Sequence, residues 1–261
     1  MGKKDINDKF YTKEYISIEC IKLLNLNAYD YVIEPSAGGG SFSNNIQHDN
    51  LIAIDLYPES EDIIKEDWFE FNRNIKGQLL IVGNPPFGER NNLSKKFIKK
   101  AISLNPKTIA FILPDVFNKY TLQSIFPKEY RLKEVKKLPK NSFILNEIEY
   151  DIPCSFFIWD ISEGEDLRFD VSKYITNDFE FISKPNTNNN CFFILGAAPN
   201  TTKEIKDVSC NNRGYYIKPK IKTKEYLLKK FKEIKFIGYS SVNGKVKWLT
   251  KPEIIKNYIG E

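Results

Sequence analysis

The chain of 261 residues contains a single histidine, His48. One imidazole excludes multi-histidine metal cages and leaves little room for a Ser-His or Cys-His relay. His48 follows the polar run Asn44 to Gln47 and is expected at the surface. Cysteine is also scarce. Cys20, Cys154, Cys191 and Cys210 are scattered, and no two stand in CxxC spacing, so no zinc site and no other metal site is expected. Cys20, Cys154 and Cys191 lie in apolar surroundings and are expected as reduced core residues of an intracellular, cytoplasmic protein. No run of about 18 apolar residues occurs, so no membrane span is expected. The opening MGKKDINDKFYTKE is charged and has no apolar signal region, so secretion is not expected. Only five of the 39 basic residues are arginine, and the net charge is +5. That balance permits a nucleic-acid partner without requiring one. The many Lys, Asn and Ile residues are the usage of an AT-rich genome, as in a virus, a phage or a low-GC bacterium.

What is present supports a substantial core: 41% of residues are hydrophobic and 14% aromatic. The length suits one large domain or a domain with an appendage. A helix is expected over 13–25, where Ile16, Cys20, Leu23 and Leu24 share a face behind Thr12 as N-cap. Seven strands follow: 31–33, 51–58, 62–69, 79–84, 108–115, 132–139 and 154–160. A helix over 94–102, capped by Ser94, puts Phe97, Ile98, Ala101 and Ile102 on one face and four lysines on the other. Unalternated Val/Ile/Leu runs between helical segments predict an α/β fold, a largely parallel sheet with helices on both faces. We place a boundary near residue 160. Residues 1–160 form the first domain. Residues 161–261 are expected to form a smaller α+β extension, a candidate target-recognition region, with strand-like FEFIS, CFFILGAA and GYYIKPKI, an amphipathic helix in KTKEYLLKKFKEI, and a loop-like KPNTNNN.

Ligands of parallel sheets collect at the carboxyl ends of the strands. Polar groups gather there: Glu34 after the first strand, Asp55 after the second, Asp67 after the third and Asn84 after the fourth. Glu34 opens EPSAGGGSF, whose glycines permit a tight turn and close backbone approach to a ligand. Asp55 stands 15 residues after Gly40 and is placed to accept hydrogen bonds from ribose hydroxyls. No GK[ST] follows the glycines, which excludes a triphosphate P-loop. The spacing indicates a nucleoside cofactor, dinucleotide or otherwise. Asp67, next to Trp68 and Phe69, suits an exocyclic adenine amine with a ring packed on the base.

The fourth strand ends in Gly83-Asn84-Pro85-Pro86-Phe87-Gly88. Adjacent prolines remove two donors, fix two φ angles and push the preceding residues toward extended geometry. The result is a rigid corner that presents an amide before it and an aromatic ring after it.

With these motifs in this order, the chain resembles the S-adenosylmethionine-dependent amino-methyltransferases, in particular the DNA adenine-N6 group. Asn84-Pro85-Pro86-Phe87 is similar to its [DN]PP[YFW] signature and EPSAGGGSF to its glycine loop. IDLYP, with Asp55 and Leu56, resembles the ribose-binding segment, and KEDWF, with Asp67 and Trp68, the adenine-binding one. Phe10-Tyr11-Thr12 resembles the segment lining the methionine end of the cofactor. LPKNSFILNEIEYDIPCSFFIWD resembles phage and restriction-linked members. The likeness covers residues 8 to 160; later, FEF and SSVNGK…LTKPEIIKNY carry a weaker one.

The resemblance implies a Rossmann-like sheet of order 3-2-1-4-5-7-6 with the last strand antiparallel. It implies S-adenosyl-L-methionine as cofactor, held by Phe10, Tyr11, Thr12, Glu34, Ser36, Gly38, Gly40, Phe42, Asp55, Leu56, Asp67, Trp68 and Asn84. It also implies direct attack by an adenine N6, with the Asn84 side-chain oxygen and the Pro85 carbonyl accepting its two N–H bonds and Pro86 keeping the corner rigid. The base would be flipped out of the nucleic acid and stacked on Phe87, with Phe143 or Tyr150 on its other face. Arg90, Lys95, Lys96 and Arg213 are candidate nucleic-acid contacts, as are the lysines of KEVKKLPK. DNA is the preferred substrate; an RNA adenine, a protein glutamine, or a non-catalytic partner role are the alternatives.

Overall fold

The buried strands explain themselves by alternation. In β5 (Leu79–Gly83) every residue is buried, and the same holds for β6 (Thr108–Pro114) and β10 (Cys154–Asp160). Leu79 and Ile81, with Ile109, Phe111, Leu113, Phe157 and Trp159, point into one hydrophobic cluster. Leu80 and Val82, with Ala110, Ile112, Phe156 and Ile158, point into another on the opposite face. A strand covered on both faces needs apolar residues at successive positions, which is the pattern read from the sequence.

These features come from a computed structural model that describes residues 10–186, 190–238 and 248–260. The opening MGKKDINDK, part of KPNTNNN and the SSVNGK stretch lie outside the described residues. The chain divides into two compact units at Phe169/Asp170.

In chain order the first unit comprises β1 (Tyr11–Thr12), α1 (Glu14–Ile21), β2 (Tyr31–Glu34), β3 (Leu51–Asp55), β4 (Ile64–Lys65), β5, α2 (Asn92–Ser103), β6, α3 (Tyr120–Gln123), β7 (Arg131–Lys137), β8 (Phe143–Leu145), β9 (Ile148–Tyr150) and β10. Its main sheet runs β4-β3-β2-β5-β6-β10-β7. Counting only these seven strands along the chain, that is 3-2-1-4-5-7-6. β10 is antiparallel to both its neighbours, and the pairs from β4 through β6 are parallel. Ile16, Cys20 and Ile21 of α1 cover one face, and Phe97, Ile98 and Ala101 of α2 cover the other. Full burial of side chains of this size contributes about 1.5–3 kcal/mol each.

Several local expectations need correction. Thr12 does not cap α1: it is paired in β1, and Lys13 is the cap residue. Ser94 lies inside α2, and its hydroxyl donates to the Pro86 carbonyl at 3.1 Å, tying the helix to the proline corner. The third strand shrinks to two residues, because Asp67 to Phe71 turn away to bury Trp68 and Phe71. β8 and β9 form a hairpin that the sequence reading missed; its turn, Asn146-Glu147, has two positive φ angles. β1 joins this hairpin as a third strand. His48 is half-buried: its Nε2 meets the Tyr29 carbonyl at 3.0 Å and its Nδ1 accepts from Asn50 N–H. All four cysteines are free, with Cys20, Cys154 and Cys191 buried as expected.

The second unit is a four-stranded antiparallel sheet of β11 (Phe179–Ile182), β12 (Phe192–Leu195), β13 (Ala198–Glu204) and β14 (Gly214–Pro219), in the order β11-β14-β12-β13. Its helices are α4 (Lys224–Glu233) and α5 (Lys251–Ile259). Phe179, Phe192, Ile194 and Ile217 pack against Leu227, Phe231, Ile254 and Tyr258 to form its core. No helix among the described residues is long and apolar enough to cross a membrane.

Candidate functional site

A cavity of about 720 Å³ opens at the carboxyl ends of β2, β3 and β5. Twelve of the thirteen residues expected around a cofactor line it: Phe10, Tyr11, Thr12, Glu34, Ser36, Gly38, Phe42, Asp55, Leu56, Asp67, Trp68 and Asn84. Gly40 does not; it lies behind the turn, where its carbonyl accepts from Asn44 N–H.

The glycine turn and the carboxylates hold each other. Asp55 Oδ2 accepts from Gly38 N–H at 2.9 Å, and its Oδ1 accepts from Tyr57 N–H at 2.8 Å. Each carboxylate oxygen retains a second lone pair for a ligand hydroxyl. Gly38 has φ +56, and a Cβ there would stand 3.2 Å from the Tyr11 ring, so both conformation and space call for glycine. The Tyr11 hydroxyl donates to Glu59, and this bond bridges the turn. Asp67 Oδ1 accepts from Phe69 N–H at 2.8 Å.

Glu34 is 2% exposed and accepts from Ser43 N–H at 2.8 Å. Burial, with Asp55 adding to it, pushes its carboxyl up to about 8 against the opposing Ser43 hydrogen bonds. Between the ordinary carboxylate range and pH 8 the folded chain keeps a proton that the unfolded chain has released. Rising pH through that window therefore destabilises the fold. Glu34→Gln should gain stability relative to wild type, by a few °C or more, as the pH goes from 5 to 9. Thermal melts across that range test it, and a pH-independent difference would contradict the assignment.

Asn84 is the focal residue. Gly83 ends β5 with φ +143, and a Cβ there would press on Glu34 Cγ at 3.2 Å. The backbone then turns through the prolines. Asn84 Nδ2 donates to the Phe10 carbonyl at 3.0 Å. Only the nitrogen can meet a carbonyl, so the amide is oriented, and its Oδ1 is left buried without a partner among the described residues. The Pro85 carbonyl likewise takes no hydrogen bond among the described residues. An unpaired buried acceptor costs about 1–3 kcal/mol, which favours a donor-bearing ligand beside it. Thr12 Oγ1, on the same cavity wall, is a second buried atom without a partner.

The aromatic expectations fare differently. Phe87 is 5% exposed and Phe143 fully buried, packed edge to face with centroids 6.2 Å apart. They fill the core, and neither offers a free face in this arrangement. Tyr150 is half-buried against Phe10. Trp68 is 2% exposed, so the ring beside Asp67 with surface to spare is its neighbour Phe69, at 38%. Phe69 also lines the cavity, as do Phe97, Leu93, Leu145 and Asn146, which the sequence did not mark as site residues. Phe69 was legible as the next residue of the motif. Leu145 and Asn146 arrive only through the hairpin.

Among the basic candidates, Arg90 is 87% exposed and pairs with Glu89. Lys95 donates to Asn92, Lys96 is exposed, and Arg213 belongs to the second unit. The β7 lysines are engaged within the first unit: Lys133 with the Glu163 carbonyl, Lys136 with Glu19, and Lys137 near Asp115. Among the described residues no three His, Cys, Asp or Glu side chains gather to hold a metal.

Residues 46–151 match the model of the EDM2 methyltransferase-like domain. The matched span runs from Ile46 through Asp55, Asp67 and the proline corner to the hairpin. Similar solved structures include a protein from Pyrococcus horikoshii assigned as an RNA methyltransferase, at 16% identity and a TM-score of 0.49, over 61% of this chain and 90% of that one. The 23S rRNA methyltransferase ErmE aligns at 10% identity and a TM-score of 0.44, over 60% of this chain and 73% of that one. The methyltransferase subunit of a type I restriction-modification system from Streptococcus thermophilus aligns at 14% identity and a TM-score of 0.40, over 86% of this chain and 53% of that one. A comparison with curated proteins gives no match. The main sheet is a mixed seven-stranded α/β sheet with the strand order expected from the sequence.

Proposed function

We propose that the protein is an S-adenosylmethionine-dependent methyltransferase acting on the N6 amine of adenine in nucleic acid, with DNA the preferred substrate. The observation that carries this reading is Asn84: its amide is oriented by Phe10, and its oxygen is buried without a partner on the wall of the cavity.

The cavity residues fit that cofactor. Glu34 would face its ammonium group, Asp55 its ribose hydroxyls and Asp67 its adenine amine, with Leu56 and Phe69 as apolar walls. When bound, the cofactor supplies an electrophilic methyl group on a sulfonium. The protein's part is to prepare the nucleophile. The lone pair of an adenine N6 is delocalised into the ring. Two acceptors, Asn84 Oδ1 and the Pro85 carbonyl, would favour the pyramidal amine that can attack. The prolines and the Ser94–Pro86 bond hold those acceptors before the reaction begins, so reorganisation is small. No histidine base is needed, because the proton leaves after transfer. A folded second unit gives sequence selection somewhere to reside, which supports DNA.

The test is transfer of tritium from labelled S-adenosylmethionine to unmethylated duplex DNA and, separately, to total RNA, with the products digested to nucleosides. Label in N6-methyldeoxyadenosine is expected. Label only in RNA N6-methyladenosine would keep the chemistry and change the substrate. Label in neither, together with label in a protein amide, would overturn the reading.

A further inference from the structure

Charge is divided unevenly between the two units. Up to Phe169 the chain has 22 Lys and Arg against 25 Asp and Glu; from Asp170 onward it has 17 against 9. The whole positive excess therefore belongs to the second unit. Within it, residues 218–235 hold eight lysines and two glutamates.

Four of these lysines are engaged. Lys218 pairs with Glu180, Lys224 pairs with Glu204, Lys230 lies over the Tyr258 ring and Lys222 over the Tyr226 ring. Lys220, Lys229, Lys232 and Lys235 are exposed and make no ion pair among the described residues. Exposed Ile221 and Tyr226, at 71% and 44%, lie among them.

We propose that this lysine-rich segment, β14 into α4 and just beyond, is a polyanion-binding surface that grips the phosphate backbone of a nucleic acid. The inference rests on the nucleic-acid substrate proposed above and gives the second unit its role. Exposed, unpaired lysines release condensed counterions when they meet phosphates. Tyr226 adds a ring on which a base can stack. An anionic membrane is the less suitable partner. The apolar face of α4, Leu227 and Phe231, is buried in the unit's own core, which leaves only isolated side chains such as Ile221, Tyr226 and Ile237 to insert.

The experiment uses the full chain without cofactor. Fluorescence anisotropy follows binding to labelled duplex DNA, single-stranded DNA and RNA of equal length over about 50 to 200 mM salt. The quadruple variant Lys220→Gln, Lys229→Gln, Lys232→Gln, Lys235→Gln should bind at least about tenfold more weakly. Its plot of log affinity against log salt should be shallower by about 2–4. The corresponding Lys→Arg variant should restore both, and S-adenosylhomocysteine binding should be unchanged in either. A wild-type slope in the Gln variant would overturn the proposal, as would wild-type binding to phosphatidylserine vesicles with none to nucleic acid. Because no methyl transfer is measured, the two readings fail separately. Lysine-dependent binding without methylation of any nucleic acid overturns the proposed function alone, whereas methylation with unaltered binding by the variant overturns the surface alone.

Discussion

Asn84→Ala should lower methyl transfer by about 10²–10³-fold and leave cofactor affinity nearly unchanged. The magnitude is that of removing one preorganised polar group from a reacting centre. The two ends of the side chain are differently engaged. Its nitrogen holds the Phe10 carbonyl, and its oxygen has no partner among the described residues. Alanine loses both, so a second variant isolates the oxygen. Asn84→Asp keeps an acceptor but sets a carboxylate against the Phe10 carbonyl, and should fall between wild type and alanine. Single-turnover transfer gives the chemical step, and titration calorimetry with S-adenosylhomocysteine gives the affinity. Undiminished single-turnover transfer in the alanine variant would remove Asn84 from the mechanism.

Asp55→Ala should weaken cofactor binding about a hundredfold, close to 3 kcal/mol. Two effects contribute. The ribose would lose a charged acceptor, a hydrogen bond of about 1.5–3 kcal/mol. The Gly38 and Tyr57 N–H groups would lose their partner, loosening the turn that shapes the cavity. An analogue of the cofactor product lacking a ribose hydroxyl distinguishes them. Wild type should discriminate against it, and the alanine variant should not. If the variant keeps both its affinity and its discrimination, Asp55 holds only the turn.

Order along the chain was enough for much of this site, for a definite reason. In a parallel sheet the ends of successive strands converge, so Glu34, Asp55, Asp67 and Asn84 become neighbours once the strands are assigned. Short apolar runs such as Leu79–Val82 and Ile109–Leu113, each ended by glycine or proline, point to strands covered on both faces. The glycine at 38 was legible too, since few other residues tolerate its φ.

What needed tertiary structure was everything set by packing between distant segments. The aromatic rings show this best. Phe87, Phe143 and Trp68 look available beside polar motifs, yet burial of a large ring is favourable enough to draw each into the core. The hairpin of β8 and β9 has only short apolar stretches; it becomes legible where Tyr11–Thr12 pairs with it, some 130 residues earlier in the chain. The hydrogen bond between Asn84 and Phe10 spans 74 residues and has no local signature. Spacing along the chain brings chemical groups to one end of a sheet. Which of their atoms stay free for a ligand depends on long-range contacts that bury some and satisfy others.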